Sequence, residues 1–252
     1  MPRTSNTHPH TFSRSGPSSV TYEVPSPPYS SPHTTITIPI GSTWTSGLHW
    51  HETHTEYLQV LSGAALITLN EVTRIYTSQD GVVTVPRYAR HEWQRASRAE
   101  ALGVDFGLSS IAVSGSEVQT QNPRLESLAE QDLVVREWTS PTDSQKEIFF
   151  RNLSGIISYA IEQNQADWYL ILQLWVLFLE LDNYPVFFQS ASVPVLGGWL
   201  ERLSLGRVLE WAVCHFLLWC AVVVGKLLGV KGMRKEYTPV MVNRNAEEIK
   251  TE

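Results

Sequence analysis

The chain has 252 residues, 42% of them hydrophobic, which is enough for a domain with its own core. Its 19 basic against 25 acidic residues give a formal net charge of −6, and no basic stripe suited to a phosphate backbone is present, which argues against a nucleic-acid partner. Cys214 and Cys220 lie six residues apart in an apolar run, where a helix turns them onto different faces, so they do not indicate a disulfide-built secreted domain.

The first 33 residues are rich in Ser, Thr and Pro and poor in aliphatic side chains. Such a segment buries too little apolar surface to offset the entropy of ordering it, so residues 1–33 are predicted to be a mostly disordered tail. One short run within it, "VTYEV" at 20–24, is predicted as a strand added to the edge of the following domain.

Short β-type runs dominate residues 34–112, among them "TTITIPI", "EYLQVLSG", "AALITLN" and "GVVTVP". They are bounded by Gly, Asn, Asp or Pro, and "EALGVDFGL" at 100–108 is read as a further strand. With no helical stretch between them, the runs predict a mainly β protein with a small antiparallel barrel over 34–112. Residues 113–144 are predicted to be a linker.

The second half of the chain is predicted to be helical. "QKEIFFRNLSGIISYAIEQ" at 145–163 has apolar residues at helical spacing and opens a helical region over 145–208. "WYLILQLWVLFLEL" at 168–181 is interrupted by Gln173 and Glu180 and is short for a membrane span, so it is expected to be a buried or interfacial helix.

A longer apolar run, "WAVCHFLLWCAVVVGKLLGV" at 211–230, contains only His215 and Lys226 as strongly polar members. Twenty helical residues span about 30 Å, the thickness of a bilayer core, so 209–230 is predicted to be a transmembrane helix. Lys231, Arg234 and Lys235 begin the polar tail, 231–252, and favour a cytosolic tail. The alternative is a buried helix of a soluble, cytoplasmic protein, although a barrel of about eighty residues offers little surface to cover it.

A dense group of candidate ligands lies in "HWHETHTEYLQVLSG" at 49–63. His49 and His51 share a strand face, because side chains alternate along a strand. If "ETHT" forms a turn, Glu56 begins the next strand and faces the same interior. His91, five residues after Pro86, supplies a fourth ligand, while His54 is expected in the turn, solvated or outside the ligand sphere.

These spacings resemble the two motifs of the cupins. The first motif, His-x-His-x4-Glu-x6-Gly, is matched by His49, His51, Glu56 and Gly63. The second motif is matched by Gly81, Pro86 and His91. Two residues depart from the family's pattern, and neither is at a ligand position. Tyr88 stands where the family usually has glycine, and Arg95 where asparagine is common. The resemblance covers about residues 34–112 and implies a jelly-roll barrel with a three-histidine, one-glutamate metal site. The segment "HWHETHTEYLQVL" also resembles fungal cupin-domain proteins of polyketide pathways, and this resemblance implies an oxidoreductase.

The ligand types point to the same chemistry. Three imidazoles and one carboxylate suit a divalent ion such as Fe, Mn, Ni, Co or Zn without choosing among them, and a six-coordinate ion would keep two open positions. The function expected is a metal-dependent oxidoreductase acting on a small apolar oxygenated metabolite, such as a polyketide intermediate. A metal-assisted cyclase or isomerase, and a non-catalytic protein that binds an apolar ligand, stay open. Trp50 and Trp93 are expected in the core, or as a wall for the substrate.

The partners expected from the sequence are a small-molecule substrate and a membrane. No nucleic acid is expected, and the oligomer considered is a homodimer. Catalytic residues beyond the metal ligands are not identified by the sequence.

Overall fold

The computed structural model of the protein describes residues 9–97, 123–188 and 205–239. Within these ranges the chain forms eleven strands and four helices. The strands are β1 (Thr11–Arg14), β2 (Val20–Glu23), β3 (Thr34–Ile38), β4 (His49–Trp50), β5 (Thr55–Ser62), β6 (Ala65–Leu69), β7 (Val72–Tyr76), β8 (Val82–Val85), β9 (His91–Arg95), β10 (Leu133–Ser140) and β11 (Tyr184–Pro185). The helices are α1 (Pro123–Ala129), α2 (Gln145–Glu162), α3 (Asp167–Glu180) and α4 (Leu205–Leu227).

Strands β3–β10 form two facing antiparallel sheets. One sheet has the order β1-β2-β3-β10-β5-β8 and the other β11-β4-β9-β6-β7. From β3 to β10 the chain alternates between the sheets except at the β6–β7 hairpin, which lies within the second sheet. This is the order of an eight-stranded jelly roll, with β3, β10, β5 and β8 on one side and β4, β9, β6 and β7 on the other. The predicted mainly β fold with a helical, apolar C-terminal region is confirmed.

The N-terminal segment extends the first sheet. "VTYE" forms β2, which pairs with β3 as predicted, and β1 pairs with β2 in turn. Phe12 and Tyr22 pack with their ring centroids 5.5 Å apart, and Tyr22 contacts Phe150 of α2. This corrects the prediction of a mostly disordered tail over 1–33, because its few large apolar residues are concentrated in two paired strands; residues 1–8 lie outside the described residues.

The predicted linker over 113–144 contains α1 and β10. β10 lies between β3 and β5 and alternates buried and half-buried residues. Its inward positions include Glu137 and Thr139 as well as Leu133 and Val135, so the run is too polar to look like a core strand. The barrel is therefore completed by residues beyond the predicted boundary at 112, and residues 100–108 and 113–122 lie outside the described residues.

The apolar core lies between the two sheets and continues into the helices. Ile36, Leu58 and Trp93 are almost wholly buried, and Trp93 packs against Trp44 at 4.8 Å between ring centroids. Phe150 of α2 and Leu177 of α3 belong to the same core cluster. The helices at 145–162 and 167–180, both predicted, thus cover the barrel.

Helix α4 packs on α3 by one face and exposes the other. Cys214, Leu218 and Ala221 are buried, whereas Phe216 and Trp219 are 62% and 60% exposed. The helix ends at Leu227 because Gly229 adopts the left-handed conformation, with φ 69°, and Val230 N–H donates back to the Gly225 carbonyl. By length and composition, Gly206–Leu227 is able to cross a membrane, with mean hydropathy 1.9.

Candidate metal centre

Two sheets contribute the four predicted ligands. His49 lies on β4 directly opposite His91 on β9, and His51 follows β4 by one residue. Glu56 comes from β5 in the facing sheet, where Glu56, Leu58 and Val60 point inward as the alternation predicted. The turn between β4 and β5 restores the parity that an unbroken strand would have lost.

The four side chains lie together inside the barrel. One donor atom from each of His49, His51, Glu56 and His91 lies within 4.8 Å of the others, and all four residues are buried. Glu56 Oε2 lies 2.9 Å from His51 Nε2, and Glu56 Oε1 lies 3.3 Å from His91 Nε2. Opposite ligands of an ion with bonds of about 2.1 Å lie about 4.2 Å apart. Shifts of a few tenths of an ångström would therefore bring these donors to an ion.

The Nδ1 atom of each of the three histidines forms a hydrogen bond with a backbone carbonyl oxygen. Nδ1 of His49 lies 2.7 Å from the Gly47 oxygen, that of His51 lies 2.5 Å from the Asp182 oxygen, and that of His91 lies 3.0 Å from the Ala89 oxygen. Since a carbonyl only accepts, the three Nδ1 atoms carry the protons and the Nε2 lone pairs face the cluster. This is how a second interaction fixes the tautomer of a metal-binding imidazole.

Two further observations fit a cation at the cluster. Glu56 Oε1 and His91 Nε2 are buried and have no hydrogen-bond partner among the residues that the structure describes. Burial lowers the pKa of both His49 and His51, so these imidazoles are neutral, and the His51 lone pair faces a carboxylate oxygen. Acceptors in contact in a dry interior are stable only with a positive charge between them. The donor set therefore fits a divalent ion; metal binding itself stays a prediction.

Comparisons with known proteins bear on the fold. No protein-family profile matches the chain, and no curated protein sequence matches it. Solved structures that it resembles include the capsular polysaccharide assembling protein CapF of Staphylococcus aureus, at 16% identity over 51% of this chain and 30% of that one, with a TM-score of 0.31. KdgF from Halomonas sp. matches at 13% identity over 51% and 86%, TM-score 0.28, and an RmlC-like cupin from Shewanella frigidimarina at 10% over 51% and 83%, TM-score 0.28.

Such distant likenesses carry no argument about activity, and this chain spans less than a third of CapF's length. The strand order of β3–β10 and the inward position of the four motif residues decide the architecture from this chain alone. The fold is a cupin-type jelly roll.

A buried lysine, which the sequence did not single out, reaches the cupin site from outside the barrel strands. Lys146, the second residue of α2, is only 7% exposed and contacts both Glu56 and Glu137. Burial alone would raise the pKa of Glu56, but the Lys146 ammonium and His91 hold it well below its usual value. Burial and the nearby Glu56 raise the pKa of Glu137 to about 7. Burial by itself would lower the pKa of Lys146, but the carboxylates of Glu137 and Glu56 outweigh this effect and raise the pKa above its usual value. The ammonium therefore stays charged.

A second connection joins the loop after α3 to the turn that carries the ligands. The Asp182 carboxylate accepts hydrogen bonds from the backbone N–H groups of Glu52 and Thr53, at 2.8 and 3.0 Å. His54 lies between Asp182 and Asp143, at 2.7 and 2.9 Å. It is buried and outside the group of four candidate ligands, so the second of the two expectations for His54 holds and the solvated one does not. Because the Asp182 carbonyl also accepts from His51, the loop fixes both the turn and one ligand.

The space next to the ligands is small. A cavity of about 10 Å³ has His51, Lys146, Phe149 and Leu181 among its lining residues. That is room for about one water molecule. A substrate would therefore have to displace the side chains of α2 and of the loop after α3.

The residues that depart from the cupin motif lie away from the ligand atoms. Tyr88 adopts φ 65°, the left-handed conformation for which the family's glycine is suited, and its N–H donates to the His51 carbonyl at 2.6 Å. The Arg95 guanidinium donates to backbone carbonyls of Gln131 and Ala129, outside the site. Gly47 supplies the carbonyl that orients His49.

The two tryptophans beside the ligands in sequence are core residues. Trp93 lies in the barrel core, and Trp50 packs near Tyr184, Cys214 and Leu218. Glu52 accepts hydrogen bonds from the indoles of Trp50 and Trp211. Neither tryptophan lines the small cavity beside the ligands.

Proposed function

We propose that the protein is a metal-dependent oxidoreductase that acts on a small, largely apolar oxygenated metabolite, such as a polyketide-type intermediate. The observation that carries the proposal is the group of three Nε2 lone pairs and one unpartnered carboxylate oxygen inside a cupin barrel. An ion held by His49, His51, Glu56 and His91 would supply Lewis acidity, and with a redox-active metal also electron transfer to or from the substrate.

The chain's own residues provide the setting for that chemistry. The carbonyls of Gly47, Ala89 and Asp182 hold the imidazoles in the ligating tautomer. Phe149 and Leu181 present apolar surface at the small cavity and limit the entry of water. That lining supports an apolar substrate, and the small volume supports a substrate that enters by displacing these side chains.

The test begins with the full chain purified without chelators. Its metal content is measured, and oxygen consumption is then followed with a panel of phenolic and 1,3-dicarbonyl compounds representing polyketide-type substrates. One equivalent of Fe, Mn, Ni or Co and substrate-dependent oxygen uptake are expected. Turnover without redox change would favour a cyclase or isomerase, saturable binding without turnover a binding protein, and absence of bound metal after reconstitution would overturn the proposal.

We also propose that the protein associates with membranes through α4. Only 28% of the most apolar part of Gly206–Leu227 is buried against the rest of the protein, so most of the surface of this helix is available to lipid. Phe216, Trp219, Val223 and Leu227 are spaced at three or four residues and all are exposed, which makes a continuous apolar stripe. Lys226 and Lys231 lie exposed at the same end and suit anionic headgroups.

The opposite face of α4 is attached to the barrel. Glu210 pairs with Arg90, Trp211 donates to Glu52 at 2.8 Å, and Cys214 donates to the Pro185 carbonyl at 3.3 Å. A helix that spans the bilayer would lose these contacts, whereas a helix lying in the interface would keep them. Alkaline carbonate washing of membranes from expressing cells separates the two: an interfacial helix is released and a spanning helix is retained. Recovery of all the protein in the soluble fraction before washing would overturn membrane association.

A further inference from the structure

We propose that Lys146 and Glu137 form a buried charge pair that positions Glu56 and sets how much negative charge this carboxylate gives to a bound metal. The inference rests on the proposed metal centre. It concerns two residues of this chain that lie far from the ligand motifs in sequence.

The position of Lys146 is unfavourable unless the two carboxylates compensate it. Lys146 lies in the first turn of α2, where the helix dipole already places partial positive charge. It is also buried, and an unpaired ammonium in the interior is costly. Contacts with Glu56 and Glu137 offset both costs. Removing either acid would leave the ammonium with a single partner.

The two acids face the same interior from neighbouring strands. Thr139 of β10 lies opposite Glu56 of β5, and Glu137 is two residues away on the same inward face. Lys146 bridges the two carboxylates from α2. It contacts Glu56 at Oε2, which also lies 2.9 Å from His51 Nε2, while Oε1 faces His91 Nε2 at 3.3 Å. The ammonium therefore engages only one of the two oxygens, and Oε1 has no hydrogen-bond partner among the described residues.

The same geometry makes the pair an electrostatic control. An ammonium bonded to a ligating carboxylate withdraws electron density from it, and Glu137 holds the ammonium partly away from Glu56. Loss of Lys146 would leave Glu56 a stronger donor, which stabilises an oxidised ion. Loss of the charge on Glu137 would direct the ammonium to Glu56 alone and act in the opposite sense. A salt bridge that only held α2 on the barrel would be broken by both substitutions, so both would disturb the site in the same sense.

The test measures the reduction potential of the iron-loaded protein, prepared by anaerobic addition of Fe(II) to the full chain. Lys146→Met is expected to lower the Fe(III)/Fe(II) potential and Glu137→Gln to raise it, with one iron bound per chain in each. Arg151→Met is the matched control: Arg151 is a buried cation on the same helix, paired with Glu147 at 2.8 Å. Its potential should equal that of the wild type.

Three results would count against the proposal. Potentials of Lys146→Met and Glu137→Gln equal to the wild-type value would overturn it while leaving the metal centre intact. Shifts of the same sign in both variants would also overturn it. If the wild-type protein binds neither iron nor Mn, Ni, Co or Zn, the metal centre fails first, and the role of the pair fails with it. If Lys146→Met does not fold, Glu137→Gln alone still decides, since a potential at or below the wild-type value contradicts the proposal.

Discussion

The barrel interior and helix α4 depart from the usual distribution of residues in opposite directions. Inside the barrel, Glu56, His91 and Glu137 are almost wholly buried polar groups. On α4, Phe216 and Leu227 are large apolar side chains that are 62% and 82% exposed. Buried polar groups and exposed apolar patches are the informative exceptions in a folded protein. A buried polar group loses its hydration, and an exposed apolar patch stays in unfavourable contact with water.

The difference between the two regions shows what each would bind. The barrel brings together acceptors that a cation would satisfy, and α4 presents surface that an apolar phase would cover. One binding site is fixed by strands, with each histidine oriented by a backbone carbonyl. The other is a single helical face whose opposite side is attached to the barrel. We therefore expect point substitutions to abolish the first function and to reduce the second by degrees.

The largest effect is expected at the metal ligands. His51→Ala or Glu56→Ala should abolish metal uptake, because each removes a donor from a four-residue set in a closed interior. Thermal unfolding should still be cooperative, since the apolar core lies elsewhere in the barrel and Lys146 keeps Glu137 as a partner. Metal content after reconstitution and dialysis measures the outcome. His33→Ala, a histidine outside the cluster, should bind metal as the wild type does; full metal content in both ligand variants would contradict the assignment.

The next effect concerns α4. The double variant Phe216→Ser and Trp219→Ser removes two exposed side chains, each contributing about 1.5–3 kcal/mol when buried, so vesicle binding should fall by about a hundredfold or more. Cosedimentation with vesicles containing phosphatidylserine measures the change. Ile40→Ser is the control, an apolar residue 60% exposed on the barrel. If the double variant binds vesicles as tightly as this control, α4 is not the membrane-binding surface.

The convergence of the candidate ligands could be predicted from the sequence because the spacing of three of them is local. His49, His51 and Glu56 lie within eight residues, and strand alternation determines the face of each. Three residues of the site were not predicted, since they reach it only through tertiary contacts. Lys146 and Glu137 lie 90 and 81 residues from Glu56 in sequence. Asp182 lies 131 residues from His51. Only Glu137 left a signal, at an inward position of the alternating run that became β10.

A third prediction concerns two glycines in turns of the barrel. Gly63, between β5 and β6, adopts φ 76°, and a Cβ there would lie 2.7 Å from the Asp132 carbonyl oxygen. Gly81 has φ 74° with nothing within 4 Å of the same position. Gly63→Ala should therefore lower the free energy of unfolding by about 3 kcal/mol and Gly81→Ala by about 1 kcal/mol. Urea denaturation measures both, and equal losses would show that the contact with Asp132 relaxes freely.

The smallest effect is expected at Tyr88, where the barrel departs from the cupin glycine. A side chain in the left-handed region costs about 1–2 kcal/mol, whereas glycine costs about 0.4–1 kcal/mol in lost chain entropy, so Tyr88→Gly should raise the free energy of unfolding by up to about 1 kcal/mol. More than half of the surface of Tyr88 is exposed, at 55%, so the substitution removes only part of the burial that a core tyrosine would provide. Asn70, at φ 48°, is the control, because asparagine tolerates this conformation and Asn70→Gly should gain less. A loss of more than 1 kcal/mol in Tyr88→Gly would mean instead that the Tyr88 ring stabilises the rim, which would place a side-chain contact where the family relies on backbone geometry alone.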